Sequence, residues 1–119
     1  MPAGILNGTM KKGNIQIAGK EVTVAWCYAT EIAFMKYTGN DINNFDATNP
    51  EHIVYMILAA LMAYYQSKNE EPPVKDENLM YEAKPQEIVD ALKVIFDLRN
   101  QWYEVSDNDV APTSDKSKN

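Results

Sequence analysis

The chain has 119 residues, and its 11 basic and 17 acidic side chains give a formal net charge of −6. This length corresponds to one domain, and a hydrophobic content of 45% is ordinary for a globular protein. The acidic balance disfavours a nucleic-acid-binding protein that neutralises phosphates. The single cysteine and single histidine exclude a disulfide framework, a multi-cysteine zinc site and a histidine-pair metal motif.

The first residues of the sequence, 1–13, contain three glycines and no apolar stretch of the kind found in secretory signals. We expect them to form a flexible leader. The longest apolar run, Ile53–Tyr65, is shorter than the roughly 20 residues of a membrane-spanning helix. We therefore expect a cytoplasmic protein with no membrane partner.

Residues 14–26 predict a β-hairpin. Its apolar residues alternate with other residues, and the alternation is interrupted at Ala18-Gly19-Lys20, where a turn centred on Gly19 is expected. One face of the hairpin is therefore predicted to pack on the core, through Ile15, Ile17, Val22, Val24 and Trp26.

A short helix is predicted from Cys27 to Thr38, where the apolar residues change to helical spacing and Gly39 follows in the position typical of a helix end. Residues 40–48 predict a polar loop anchored by Ile42 and Phe45. The segment that begins at Asp41 resembles a calcium-binding loop only in its first residues. It lacks the glycine and the final glutamate that such loops require, so we expect a turn without a metal.

The second helix is predicted to begin after Asn49, a favourable N-cap, with Pro50 in its first turn, and to end near Ser67. Apolar residues cover every face of its middle part. A helix that is apolar all round is buried all round, so this sequence predicts more apolar surface than a small domain can cover. We expect the excess to meet a partner or a second copy of the chain.

The third helix, which is the second of the two long ones, is predicted over residues 85–105, after the Pro72-Pro73 break and a single turn at residues 76–81. Its core stripe is Ile88, Ala91, Ile95, Leu98 and Trp102, widened by Val89, Leu92, Phe96 and Tyr103. The polar residues 106–119 predict a disordered tail. The expected fold is α+β and mainly α, with an N-terminal hairpin, one short and two long helices, and a single domain over residues 14–105.

Candidates for catalysis are few. Cys27 and His52 are the only possible nucleophile and base, and we interpret Cys27 as a small buried residue and His52 as an ordinary surface or boundary residue. The acidic pairs Glu70-Glu71 and Asp76-Glu77 flank a hydrophilic linker and predict a solvated cluster rather than an acid–base pair. We therefore expect neither an enzyme nor a cofactor or metal.

Aromatic and methionine residues are the remaining unusual feature, with seven tyrosines, two tryptophans and six methionines. These residue types are enriched at protein interfaces and are also common in cores. Core packing explains most of them, but the second helix favours a partner-binding surface or an oligomer seam. The residues predicted to bind a partner are Tyr55, Met62, Tyr65, Trp102 and Tyr103.

Four segments carry a family resemblance: IQIAGKEVTVAWCYATEIAF, TGNDI, NPEHIVYMILAALMAYYQ and PQEIVDALKVIFDLRNQWY. Together they resemble small tail-assembly-chaperone proteins of tailed phages and prophages of Bacteroides-like bacteria, over residues 15–105. The resemblance implies a non-enzymatic protein that binds the tape-measure protein, keeps it soluble and helps to recruit tail-tube subunits. Such chaperones act in the host cytoplasm and are absent from the finished virion. The resemblance includes no motif that would assign a functional residue to this chain.

Two other functions remain open at this stage. The same apolar surface would suit a small regulatory or antitoxin-like subunit that binds a different partner, and the neighbouring genes would distinguish it from a tail protein. A small enzyme that uses Cys27 or His52 is the other alternative, and alanine substitutions at these two residues test it.

Overall fold

The hairpin is the first element of residues 10–110, which are the residues described by the computed structural model. Strand β1 spans Lys11–Ile17 and pairs in antiparallel fashion with β2, which spans Lys20–Trp26. The two turn residues, Ala18 and Gly19, have φ angles of 54° and 79°. Positive φ at both positions defines a type I′ turn, whose twist matches that of the strands. The predicted hairpin and its turn are confirmed.

One face of the hairpin is buried, as its alternating pattern predicted. Ile17, Val24 and Trp26 are fully buried, and Ile15 and Val22 are nearly so. The strand, however, begins before residue 14, because Lys11 lies opposite Trp26 and Gly13 opposite Val24. Residues 11–13 of the predicted flexible leader are therefore part of β1. Residues 1–9 of that leader lie outside the described residues.

Four α-helices follow the hairpin within residues 10–110, so the predicted α+β, mainly α class is confirmed. A 3₁₀ turn at Ile42–Asn44 separates the first two helices, and Asp41 caps it by accepting the Asn43 N–H at 2.8 Å. Ile42 is buried and Phe45 half-buried, so both predicted anchors of the loop are confirmed. The helices are α1 (Tyr28–Thr38), α2 (Pro50–Ser67), α3 (Asp76–Tyr81) and α4 (Pro85–Val110).

Helix α2 begins and ends with recognisable caps. The side chain of Asn49 accepts hydrogen bonds from the N–H groups of Glu51 and His52, at 2.9 and 3.4 Å, as its predicted N-cap role requires. At the other end Asn69 has a φ of 59°, and the Glu70 N–H donates to the Tyr65 carbonyl at 2.9 Å. This pattern is a Schellman motif, which satisfies carbonyls that the helix itself leaves free.

The middle of α2 is covered by the chain itself. Met56, Ile57 and Leu61 are fully buried, because α2 packs against α1, β2, α3 and α4. Among the described residues, none of the exposed large hydrophobic side chains lies on α2. The expectation that α2 carries excess apolar surface was wrong, because a two-stranded sheet and three helices surround it and leave little of it bare.

Helix α4 supplies the opposite wall of the core. Ala91, Ile95, Leu98 and Trp102 are buried in the predicted register, with Ile88 half-buried beside them. Leu92, Phe96 and Tyr103 pack at the edge of the core, but Val89 is 47% exposed and was wrongly predicted to join it. Successive residues of a helix point about 100° apart, so Val89 points away from the core that Ile88 and Ala91 face.

The boundary of α4 also differs from its prediction. The helix continues past residue 105 to Val110, into the segment predicted to be a disordered tail. Ser106, Asp107, Asn108 and Asp109 are poor helix formers, but none of them lacks a backbone N–H, and the next proline is Pro112. Residues 111–119 of the predicted tail lie outside the described residues.

Two contacts fix α4 against the hairpin. The Glu87 carboxylate accepts hydrogen bonds from the N–H groups of Ala18 and Gly19 in the turn, at 2.9 and 3.0 Å, and from the N–H of Lys84 at 2.9 Å. Further along, a Cβ at Gly13 would lie 3.0 Å from Val94 Cγ1, so glycine permits the close approach of the helix. None of the helices in residues 10–110 combines the length and hydrophobicity of a membrane-spanning segment.

Candidate protein-binding site

The predicted partner-binding residues on α2 are largely engaged within the molecule. The hydroxyl of Tyr65 accepts the N–H of Thr23 at 3.1 Å, and the ring of Tyr55 stacks on that of Tyr37 with centroids 5.2 Å apart. Met62 lines a groove of about 700 Å³ between α2 and residues 69–76. All three predicted residues are half-buried, and Met62 borders an open groove.

The other two predicted residues, on α4, pack against α1. Trp102 is buried, and its ring meets the ring of Tyr28 edge-on at 4.7 Å. Tyr103 is half-buried and donates its hydroxyl hydrogen to the carboxylate of Glu31. The structure therefore divides the five predicted residues between two regions, and both regions border α1.

Three large apolar side chains on the outward side of α1 remain exposed among the described residues. Tyr28 is 68% exposed, and Ile32 and Met35 are each 48% exposed. Their spacing of four and three residues aligns them in one row along the helix. We call this row the α1 face. Phe34 and Thr30 on the inward side are fully buried, so α1 is apolar on both sides.

A shallow groove runs beside the α1 face. Its volume is about 130 Å³, and its walls come from α1 and the loop that follows it. The walls combine apolar side chains with two carboxylates. The lining residues are Tyr28, Glu31, Ile32, Met35, Asp41 and Ile42.

A hydrogen-bonded cluster around Glu31 holds the start of α1 in place. Its carboxylate accepts the Trp26 indole N–H at 3.2 Å and the Tyr103 hydroxyl, and Arg99 lies over both aromatic rings. Burial, followed by the hydrogen bond to Glu31, raises the pKa of Tyr103 to about 12. Tyr103 therefore remains a donor at neutral pH. The cluster makes the α1 face a fixed surface rather than a loose one.

Cys27 and His52 are not brought together. Cys27 is the N-cap of α1 and is half-buried, while His52 is 6% exposed at the start of α2. Nδ1 of His52 accepts the Asp46 N–H at 3.0 Å, and Nε2 lies 3.4 Å from the Asn40 side chain, beyond the far end of α1. The prediction of a surface or boundary histidine was wrong, because the loop over residues 40–46 folds across the imidazole.

The acidic pairs of the linker lie in solvent, as their sequence context indicated. Glu70, Glu71, Asp76 and Glu77 are all exposed, and Lys75 forms an exposed ion pair with Glu71 at 3.8 Å. No group of three or more potential metal ligands occurs within residues 10–110.

Comparison with known proteins found no match among family models, curated proteins or solved structures. The arrangement of the chain's own residues therefore carries the functional argument. The α1 face was missed in the sequence because α1 is short and α2 has the longer apolar run. The row formed by Tyr28, Ile32 and Met35, opposite Phe34, was the available signal.

Proposed function

We propose that this protein is a non-enzymatic tail-assembly chaperone of a phage or prophage, which binds and solubilises the tape-measure protein in the host cytoplasm. The observation that carries the proposal is the α1 face, an exposed row of three large apolar side chains on a helix whose other side fills the core. The resemblance of residues 15–105 to such chaperones supplies the identity of the client and of the tail-tube protein as a second partner.

The α1 face suits a long, helix-prone client. A row at spacings of four and three residues matches the apolar stripe of a second helix laid alongside it. Met35 and Tyr28 have side chains that adapt to different partner sequences, which a chaperone of an extended client requires. The net charge of −6 would repel other complexes and keep the bound client in solution.

Co-expression with the tape-measure protein encoded nearby tests the proposal. We expect the wild-type chain to increase the soluble fraction of the client, and Ile32→Asp to lose this effect. Burying an isoleucine contributes about 1.5–3 kcal/mol, so its loss weakens binding by about tenfold or more. Met80→Asp is the matched control, because Met80 is 49% exposed on α3.

Two further measurements make the result decisive. Circular dichroism and thermal unfolding must show that the Ile32→Asp protein is folded, as expected for a half-exposed position. Met62→Asp tests the groove beside α2. If Met62→Asp abolishes the solubility of the client and Ile32→Asp does not, the client binds that groove instead of the α1 face. If the wild-type chain leaves the client insoluble, the chaperone proposal is wrong.

A further inference from the structure

Strand β1 has an edge that no other strand covers in residues 10–110. Because the two-residue turn closes on Ile17 and Lys20, every second residue of β1 directs its backbone groups towards β2. The backbone groups of Lys12, Asn14 and Gln16 consequently point away from the hairpin. On β2 the same alternation is visible, since the outward N–H of Thr23 donates to Tyr65.

These outward groups of β1 have no hydrogen-bond partner among the described residues. Neither the turn and loop bonds nor the side-chain bonds of residues 10–110 include the N–H of Lys12, Asn14 or Gln16. On β2, by contrast, the outward N–H of Thr23 and the outward carbonyl of Ala25 are bonded within the molecule, to Tyr65 and Thr30. An edge strand with free donors and acceptors is a template for one further strand.

A groove of about 460 Å³ lies along this edge, between β1 and the first turns of α4. Three carboxylates line it, from Glu21, Glu87 and Asp90, against one ammonium group, from Lys84. Glu87 is engaged by the hairpin turn, but Glu21 and Asp90 are exposed, and Glu21 lies opposite Gln16. The two lysines of β1, Lys11 and Lys12, are not part of this lining, so the groove beside Asn14 and Gln16 favours a basic occupant.

We propose that the β1 edge binds an extended peptide segment of a partner protein, which adds as a strand and carries lysine or arginine at alternate positions. Backbone bonds to Lys12, Asn14 and Gln16 would hold the peptide, and Glu21 and Asp90 would select its basic side chains. A second copy of this chain fits less well. Antiparallel pairing of two β1 strands about a two-fold axis would place the α4 helices of both copies on the same face of the sheet, and each helix already forms one wall of its own groove.

The experiment is a titration of the labelled protein, followed by amide NMR, with a synthetic seven-residue peptide that matches the seven residues of β1 in length. The peptide alternates valine and lysine, and a second peptide has glutamate in place of lysine. We expect saturable shifts of the Asn14 and Gln16 amides with the basic peptide. We expect binding of the acidic peptide to be about tenfold weaker or more, because like charges would meet at the groove.

A proline variant separates edge pairing from a general charge effect. Asn14→Pro removes an N–H that points away from β2, so the hairpin keeps its backbone bonds while the edge loses a donor. The bond from the Thr23 hydroxyl to the Asn14 side chain is lost as well, and Asn14→Ala loses it equally. We expect this variant to bind the basic peptide about fivefold more weakly or worse, since one hydrogen bond contributes about 1 kcal/mol. Asn14→Ala keeps the N–H and is the matched control, which should bind as the wild type does.

Asp90→Lys provides an independent variant that leaves the strand unaltered, and it should reduce the preference for the basic peptide. The proposal is overturned if both peptides bind equally, if the shifts lie away from β1, or if Asn14→Pro and Asp90→Lys both bind like the wild type. It is also overturned if sedimentation shows a dimer that Asn14→Pro dissociates, because the edge then holds a second copy.

Discussion

Ala18 adopts a backbone conformation that disfavours its own side chain. Its φ of 54° lies in the left-handed region, where a Cβ atom costs roughly 1–2 kcal/mol, and glycine or asparagine is the usual residue at this position of a type I′ turn. The hairpin tolerates alanine because Glu87 bonds the turn from outside. The turn is therefore held by a contact that lies 69 residues away along the chain.

Ala18→Gly should stabilise the protein. We expect the free energy of unfolding to rise by about 1 kcal/mol, since glycine reaches this conformation without a steric cost. Chemical denaturation measures the change. Ala33→Gly, in the middle of α1, is the matched control and should lower stability by about 1 kcal/mol. A loss of stability at both positions would show that the φ of Ala18 is not strained.

Glu87 predicts a specific acid sensitivity. Hydrogen bonds from the backbone N–H groups of Lys84 and Gly19, and then of Ala18, lower the pKa of its carboxyl below the ordinary 4.5. Because the folded pKa is the lower one, its stabilising contribution is complete above pH 4.5 and is lost as the pH falls through the folded value.

We therefore expect Glu87→Gln to be less stable than the wild type at about pH 6, and the difference to shrink at about pH 3. Urea denaturation at the two pH values checks it. Gln86→Ala is a neighbouring control at an exposed position, adds no titratable group and should not remove the wild type's acid sensitivity. A stability difference that is constant with pH would mean that the charge of Glu87 is not what stabilises the turn.

At the scale of elements, helix α4 carries both core and surface positions, and substitutions at one of each test its orientation. Ile95 is fully buried and Val89 is 47% exposed on the same helix. Ile95→Ala should lower the free energy of unfolding by about 2–5 kcal/mol, because the deletion leaves a cavity. Val89→Ala should change stability by about 0.5 kcal/mol or less. Comparable losses at the two sites would contradict the register of α4.

The sequence predicted those elements whose signals are local. Asn49 with Pro50 marked the start of α2, Gly39 marked the end of α1, and alternation marked the hairpin. Local signals do not predict which elements, distant in the sequence, bury one another. His52 is buried because a loop folds across it. The α1 face is exposed because the other elements pack around α2 and leave the outward side of α1 uncovered. Both are set by tertiary packing, which local spacing does not encode.

At the scale of the molecule, the apolar α1 face also bears on self-association, and we propose that it pairs two copies when no client is present. Sedimentation equilibrium should show a dimer of the wild type that Ile32→Asp converts to a monomer. Val89→Asp places the same charge on a half-exposed residue of α4 and should remain dimeric. A wild-type monomer at about 100 μM would exclude this mode of pairing at ordinary affinities.

The docking of α4 on the hairpin also determines when the chain can complete its core during synthesis. Gly13 and Ile15 emerge from the ribosome before Val94, Leu98 and Trp102, which close the same core from α4. Until then the apolar face of the hairpin lacks its cover. This face is therefore open to aggregation until α4 is released, and the core is complete only once α4 has docked on the hairpin.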